Sequence, residues 1–141
     1  MIFWDIIEKP IDVIFYERKF TNPHCGAVVC FAGKVRDHHQ GQSVKKLLYE
    51  AHIPMTQKIF EKISTEALMK WDLKTVGLVH RLGILEIGEV AVWVGVESSH
   101  RKEAFEGASW IMDQIKKEAP IWKKEFFTDG SCQWGGCECV S

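Results

Sequence analysis

Residues 90–127 read VAVWVGVESSHRKEAFEGASWIMDQIKKEAPIWKKEFF, and this stretch decides the fold because it holds strand, helix and strand without a linker. Residues 90–96 are mostly apolar and β-branched, which is typical of a buried strand. Residues 99–118 show helical spacing of their apolar positions, with Ala104, Ala108, Ile111 and Ile115 predicted to point inward. Pro120 has no N–H group to continue the helix, so residues 121–127 are predicted to form a strand.

Similar patterns extend toward the N-terminus. Strands are predicted at residues 25–35, 45–52 and 75–82, a short helix at 11–20, a loop at 37–42 and a connection at 83–88. Pro54 opens another helix, whose apolar face is predicted to comprise Met55, Ile59, Ile63, Ala67 and Trp71. After the first short helix the order is strand, strand, helix, strand, strand, helix, strand. This order predicts an α+β sandwich with its helices on one face of a sheet.

The chain length of 141 residues is expected to form one domain over residues 1–141. Residues 1–22 are expected to be an N-terminal strand or helix segment. Asp129-Gly130 is predicted to turn the chain into a variable C-terminal tail at residues 130–141. Hydrophobic residues make up 46% and charged residues 26% of the chain, as in ordinary soluble proteins.

Composition also argues against several functional classes. A formal net charge of -1 disfavours a general nucleic-acid binder, which normally carries a basic excess. No apolar run approaches the ~20 residues of a membrane span, and the N-terminus does not resemble a secretory signal. Five cysteines without a secretory context favour reduced thiols, and the expected location is therefore cytoplasmic.

Cations are concentrated at the predicted start of the second long helix. Ser99 is a plausible N-cap, so His100 and Arg101 would lie in the first turn beside free backbone N–H groups. Cations there oppose the helix dipole, and a bound anion would remove that penalty. The pattern indicates an anion site, although a plain surface helix remains the alternative.

Two further groups of basic residues are candidates for the same site. Lys116 and Lys123 flank the break at Pro120, so chain reversal could bring both ammonium groups together, whereas Lys117 and Lys124 are expected to be solvated. In the strand that begins near Cys25, Lys34 and Arg36 point to one side and Val35 to the other. The alternative interpretation of the paired lysines is that they are simply solvated. The alternative for Lys34 and Arg36 is a simple exposed strand edge.

Histidine and cysteine do not form a convincing metal motif. His38-His39 has no partner at a usual ligand spacing, and Cys132, Cys137 and Cys139 have no usual zinc spacing. We therefore predict no metal site and a frayed tail with incidental cysteines. Cys25 and Cys30 are predicted to be small core residues.

Four segments in register resemble one known family. They are residues 26–38 (GAVVCFAGKVRDH), 79–83 (VHRLG), 98–106 (SSHRKEAFE) and 120–125 (PIWKKE), and the similarity extends from about residue 26 to residue 134. Together they resemble the large, catalytic subunit of molybdopterin synthase, the MoaE family.

The resemblance implies an activity and an assembly. The family converts cyclic pyranopterin monophosphate into molybdopterin by installing two sulfurs as a dithiolene, with no cofactor of its own. Sulfur arrives as a thiocarboxylate on the C-terminal Gly-Gly of a small ubiquitin-like subunit, MoaD. Two large subunits form a central homodimer of a heterotetramer, and each active site borrows residues across the dimer. The implied fold is an α/β hammerhead with an added antiparallel β subdomain.

The resemblance also assigns site residues. Lys116 and Lys123 are implied to be catalytic, with Lys116 near the thiocarboxylate carbon. The implied substrate-binding residues are Lys34, Val35, Arg36, His100, Arg101, Lys116, Lys123, Lys124 and Glu125. His100, Arg101 and Arg36 would hold the phosphate and pterin oxygens of the substrate.

One departure from the family pattern concerns the tail. Family members usually have an arginine shortly after the tryptophan that corresponds to Trp134, whereas this chain has none from there to Ser141. A non-catalytic pterin- or anion-binding dimeric module, and a structural dimer subunit, therefore remain alternatives. A companion chain ending in Gly-Gly would favour sulfur transfer over both.

Overall fold

The computed structural model describes residues 1–136 of the chain as a mixed α+β structure. In chain order the elements are β1 (Ile2–Ile7), α1 (Val13–Glu17), β2 (Ala27–Lys34), β3 (His38–His39), β4 (Gln42–Ala51), α2 (Ile53–Lys70), β5 (Leu73–Arg81), β6 (Gly83–Glu86), β7 (Val90–Ser98), α3 (Arg101–Glu118), β8 (Ile121–Phe127) and β9 (Cys132–Gly136).

The first sheet has the strand order β1-β5-β7-β2 and is covered by helices on one face. β1 runs parallel to β5, while β5, β7 and β2 are successively antiparallel. Helices α2 and α3 pack on one face through a core that includes Phe60, Ile63, Leu78, Val94 and Ile111. This layer buries the apolar faces of both long helices.

The opposite face of the first sheet carries an aromatic cluster of Phe3, Tyr16, Phe20 and Trp93. The rings of Phe3 and Trp93 are stacked with their centroids 6.3 Å apart. Gly77 and Gly95 face each other across β5 and β7, and a Cβ atom at Gly77 would overlap the Phe3 ring. Because neither glycine has a side chain, the aromatic rings can lie directly against the backbone of β5 and β7.

The second sheet is antiparallel and is built around β4. Its strand order is β3-β4-β8-β9, and β6 also pairs with β4. Its small core contains Val35, Val44, Leu47, Leu85, Ala91 and Phe127. The α+β prediction is confirmed, and this sheet corresponds to the antiparallel β subdomain that the resemblance implied.

Several predicted loops are strands instead. The loop at 37–42 contains β3 and the start of β4, joined by a tight turn in which Gln40 and Gly41 both have positive φ. The connection at 83–88 contains β6, and the predicted frayed tail contains β9 at Cys132–Gly136. β1 was not predicted as a separate strand, and α1 is shorter than the predicted helix at 11–20. β1 and β6 are defined by partner strands that are distant in sequence, whereas β3 and β9 form hairpins with the neighbouring strands β4 and β8.

Two predictions about burial are wrong. Met55 is 47% exposed, whereas Phe60 is fully buried, because strict four-residue spacing drifts around a helix of 3.6 residues per turn. Cys30 is exposed and Cys25 half-buried, because β2 is the edge strand of the first sheet. The inward face of α3, by contrast, is confirmed at Ala104, Ala108, Ile111 and Ile115.

Candidate active site

The N-terminus of α3 carries the first group of cations. The N-cap is His100 rather than the predicted Ser99, and the Ser98 hydroxyl donates to the His100 carbonyl. Within residues 1–136 the His100 side chain makes no capping hydrogen bond. His100 and Arg101 are both exposed. Their side chains therefore lie beside the free N–H groups of the first turn, where an anion is stabilised.

The C-terminus of α3 leads directly into the second group of cations. Lys116 and Lys117 lie in the last turn, and both are exposed. The helix ends at Ala119, which is extended because it precedes Pro120. β8 then starts at once, so Lys116 is joined to Lys123 by one short turn of chain.

The two lysines of β8 point to opposite faces of the second sheet. Side chains alternate along a strand, so Lys123 shares the inner face with Glu125 and the buried Phe127. Lys123 lies opposite Tyr49 of β4, and Glu125 lies opposite Leu47. Lys124 points to the other face, where its Nζ lies 5.2 Å from the Phe126 ring centre and 5.5 Å from that of Trp134. The charge pattern had predicted that Lys124 is solvated. In the structure its ammonium group instead lies over two aromatic rings.

Glu125 is a buried carboxylate beside these lysines. It is 5% exposed, and its Oε1 lies 3.8 Å from Nε2 of His39, which is 9% exposed. A buried carboxylate is costly unless a cation or hydrogen-bond donor accompanies it. His39 was predicted to lie in a loop, and its burial depends on contact with β8.

The segment at the end of β2 carries the third group of basic residues. Lys34 and Arg36 are exposed, as their alternation predicted. Val35 is 3% exposed and belongs to the core of the second sheet. Its N–H donates to Glu89 O at 2.9 Å, and its carbonyl accepts from the Gly88 N–H at 2.7 Å. The Val35 side chain therefore packs in the core beneath this segment while its neighbours face solvent, and its implied role in substrate binding stays a prediction.

Buried polar residues that the charge pattern did not single out support this end of the molecule. Arg81 is 8% exposed and donates to Glu89 Oε2 at 2.7 Å, which lowers the pKa of the Glu89 carboxyl. His80 lies 2.9 Å from Arg81 O through Nδ1, and burial lowers its pKa to about 4. The His80 ring also contacts Tyr49 edge-on, with centroids 5.0 Å apart. The VHRLG motif was the sequence signal for these residues.

Basic residues of the candidate site fall into two clusters. The helix-start cluster is His100 and Arg101, and the lysine cluster is Lys34, Arg36, Lys116 and Lys123. The 15 residues between Arg101 and Lys116 correspond to roughly 22 Å along a helix axis at 1.5 Å per residue. β2 runs antiparallel to β7, which places Lys34 opposite Val90, at the other end of the sheet from Ser98. One small anion cannot contact both clusters of the same chain.

Residues 1–136 contain no group of three or more His, Cys, Asp or Glu side chains that could hold a metal ion. Cys132 is exposed on β9, whereas Cys137 and Cys139 lie outside the described residues. Among the described helices, none has the length and apolar character needed to cross a membrane.

The helix-covered mixed sheet, the second antiparallel sheet and the two basic clusters define an α+β protein with a candidate site for an anionic ligand. Residues 6–118 match the MoaE protein family, and the chain belongs to that family.

The matches with similar proteins cover most of the chain. The molybdopterin synthase catalytic subunit of Staphylococcus carnosus is 41% identical, and the match covers 94% of this chain and 88% of that protein. The protein of the same name from Dictyostelium discoideum is 40% identical, with 97% and 89% covered. The crystal structure of molybdopterin synthase from Staphylococcus aureus has a similar fold, with a TM-score of 0.87, 39% identity and 93% and 95% of the two chains covered.

Proposed function

We propose that this chain is the catalytic subunit of a molybdopterin synthase, which transfers sulfur to cyclic pyranopterin monophosphate and forms the dithiolene of molybdopterin. The observation that carries the proposal is that a MoaE family chain, similar over most of its length to catalytic subunits of this enzyme, displays both basic clusters on its surface. The substrate carries a phosphate, and Arg and Lys are suited to binding it.

The sulfur donor in this proposal is a small ubiquitin-like subunit, MoaD, with a thiocarboxylate on its C-terminal Gly-Gly. Lys116 and Lys123 are the proposed catalytic residues, because ammonium groups attract the thiocarboxylate and stabilise the charge that develops as sulfur attacks. Each transfer forms one carbon–sulfur bond on the pterin while a carbon–oxygen bond at the same carbon breaks and the oxygen leaves. It then breaks the acyl–sulfur bond of the small subunit. Water completes the exchange, and the small subunit leaves as a carboxylate.

Substrate is held by both clusters in this proposal. His100 and Arg101 bind phosphate and pterin oxygens together with Arg36, while Lys34, Lys124 and Glu125 complete the surroundings of the two catalytic lysines. Glu125 acts from a buried position, and Lys124 acts from the outer face beside Trp134.

Self-association as the central homodimer of a heterotetramer follows from the separation of the clusters. Because roughly 22 Å separates Arg101 from Lys116 along the axis of α3, the helix-start cluster of one protomer must meet the lysine cluster of its partner to form one site. β2 offers an edge for this association, with Val28 49% and Phe31 43% exposed. Exposed apolar side chains on an edge strand favour pairing with another chain.

The remaining parts of the proposal concern the setting of the enzyme. The chain acts in the cytoplasm as one catalytic domain, without a cofactor, a nucleic acid or a membrane. The absence of an arginine after Trp134 favours one second candidate, a dimeric module that binds pterin or another anion without catalysis.

The test of the proposed function is the complete reaction. Purified protein is mixed with thiocarboxylated small subunit and cyclic pyranopterin monophosphate, and the product is oxidised to its fluorescent derivative. We expect product from the wild type and a decrease of about 10²–10³-fold in Lys116→Ala, the range for removing one group that stabilises charge in the transition state. Binding of the small subunit should remain nearly unchanged.

Lys117→Ala is the matched control, because Lys117 is the adjacent exposed lysine in the same helical turn. It should retain wild-type turnover. Wild-type activity in Lys116→Ala would contradict the catalytic assignment. Absence of product from a confirmed complex of wild-type subunits would instead favour the binding module.

A further inference from the structure

His39 and Glu125 contact each other inside the second sheet. His39 ends β3, Glu125 lies on β8, and the distance from His39 Nε2 to Glu125 Oε1 is 3.8 Å. As whole residues His39 and Glu125 are 9% and 5% exposed, and their side chains are 11% and 7% exposed. Leu47 lies opposite Glu125 on β4 and belongs to the apolar core of this sheet. The contact therefore lies in surroundings with little water.

A neighbouring pair shows why burial matters more than distance here. His38 Nδ1 lies only 2.9 Å from Asp37 Oδ1, but the two side chains are 68% and 77% exposed. Solvated pairs of this kind contribute little, because water screens both groups. At His39 and Glu125 the surroundings are less solvated, so water screens this contact less than it screens the exposed pair. The two consecutive histidines thus differ in the role that each can have.

The contact connects two parts of the lysine cluster. His39 follows Arg36 by three residues and ends β3, directly before the turn that leads into β4. Glu125 follows Lys123 by two residues and points to the same face of β8. A contact between His39 and Glu125 therefore fixes the segment of Arg36 against the strand of Lys123.

His39 has a further unusual feature. Its Nδ1 is buried, and within residues 1–136 it has no hydrogen-bond partner. An unpaired buried nitrogen destabilises a fold, so such a group in a native structure requires an explanation. The ring is nevertheless held in the orientation that turns Nε2 toward Glu125.

We propose that His39 is a positioning residue of the sulfur-transfer site, an inference that rests on the proposed function. A proton on Nε2 faces the Glu125 carboxylate. Glu125 lies on the same strand as Lys123, so this contact links His39 to that strand. The contact keeps Arg36 and Lys123 aligned on the same substrate. His39 itself touches neither the substrate nor the reacting atoms.

Steady-state kinetics of four proteins test the coupling: the wild type, His39→Gln, Glu125→Gln and the double variant. We expect the KM for cyclic pyranopterin monophosphate to rise about fivefold in His39→Gln, within the range of coupling between contacting residues. The double variant should be no worse than Glu125→Gln alone. A purely structural role would reduce the active fraction and thus the apparent kcat, but would leave KM unchanged.

His24→Gln is the matched control, because His24 is an exposed histidine in the segment between α1 and β2. It should retain the wild-type KM. A wild-type KM in His39→Gln would overturn the proposal, and so would independent effects of the two substitutions that multiply in the double variant.

Imidazole ¹⁵N chemical shifts provide a readout that needs no turnover and no variant at His39. In the wild type, Nε2 of His39 should be protonated, and Glu125→Gln should shift its resonance while the resonances of His24 remain in place. An unprotonated Nε2, or a shift unaffected by Glu125→Gln, would overturn the proposal. Because this measurement is independent of product formation, failure of the contact is distinguishable from failure of the proposed sulfur transfer.

Discussion

The outer face of the first sheet and the interior of the second sheet bury very different groups. The outer face of the first sheet is filled by Phe3, Tyr16, Phe20 and Trp93 over a pair of glycines. The second sheet has a small apolar core and buries His39 and Glu125 beside the lysine strand. Burial of aromatic surface stabilises a fold, whereas burial of charge usually does not. The aromatic face of the first sheet therefore supplies stability, whereas the second sheet gives up some stability where it holds His39 and Glu125 in place.

The largest effect is expected for Trp93→Ala, which removes the centre of the aromatic cluster. Trp93 is 1% exposed, so its truncation should lower the free energy of unfolding by about 3–5 kcal/mol. Trp122→Ala on β8 is the control, since Trp122 is 43% exposed and its loss should cost less than about 1 kcal/mol. Guanidinium unfolding measures both. Equal losses in the two variants would mean that the first sheet does not dominate stability.

The next effect concerns His80, which lies between the sheets and contacts Tyr49. Burial lowers its pKa from 6.5 to about 4. Between these two pH values the unfolded chain binds more protons than the folded chain, so acidification favours unfolding. The contribution is complete above about pH 6.5 and is lost as the pH falls toward 4, with a size of about 3 kcal/mol.

Urea unfolding at a series of pH values checks this effect. His80→Gln should show a flatter dependence of unfolding free energy on pH than the wild type, whatever its stability at neutral pH. An unchanged slope between pH 4 and 6.5 would assign the acid sensitivity to other groups.

The smallest of the three effects is expected for Gly77→Ala, because the added methyl group would overlap the Phe3 ring. Phe3 is only partly buried and can move, so the expected loss is about 1–3 kcal/mol. Phe3→Leu combined with Gly77→Ala should lose less than the sum of the two single changes. Strict additivity of the unfolding free energies would show that the glycine does not make room for the ring.

Local signals predicted some elements well. Pro120 and the spacing of apolar residues placed the end of α3 and all of β8 correctly. β1 and β6 were missed because each depends on pairing with a strand far away in sequence, as Ile2 pairs with Val76 in the register of β1 and β5. β9 is a neighbour of β8 in the chain but was missed because its short, Gly-containing sequence lacks a strand pattern. Short polar or mixed segments do not reveal such partners.

The candidate site was predictable in residue type but not in arrangement. Exposed Lys34, Arg36, His100, Arg101 and Lys116 were recognised from their charge and position. The burial of Glu125 and His39 was not, because it arises where β8 meets the hairpin of β3 and β4. The division into two clusters follows from the length of α3, a local property whose consequence appears only once the helix has been placed on the sheet.

The length of α3 also sets the distance and the relative orientation of the two basic clusters. Its first residues carry one basic cluster and its last turn carries Lys116, so one inserted residue would move the two ends apart by about 1.5 Å and rotate them by about 100° relative to each other. In a symmetric dimer the same error would appear in both active sites at once. Tolerance to insertions should therefore be confined to turns such as residues 128–131, while the helix keeps a fixed number of residues.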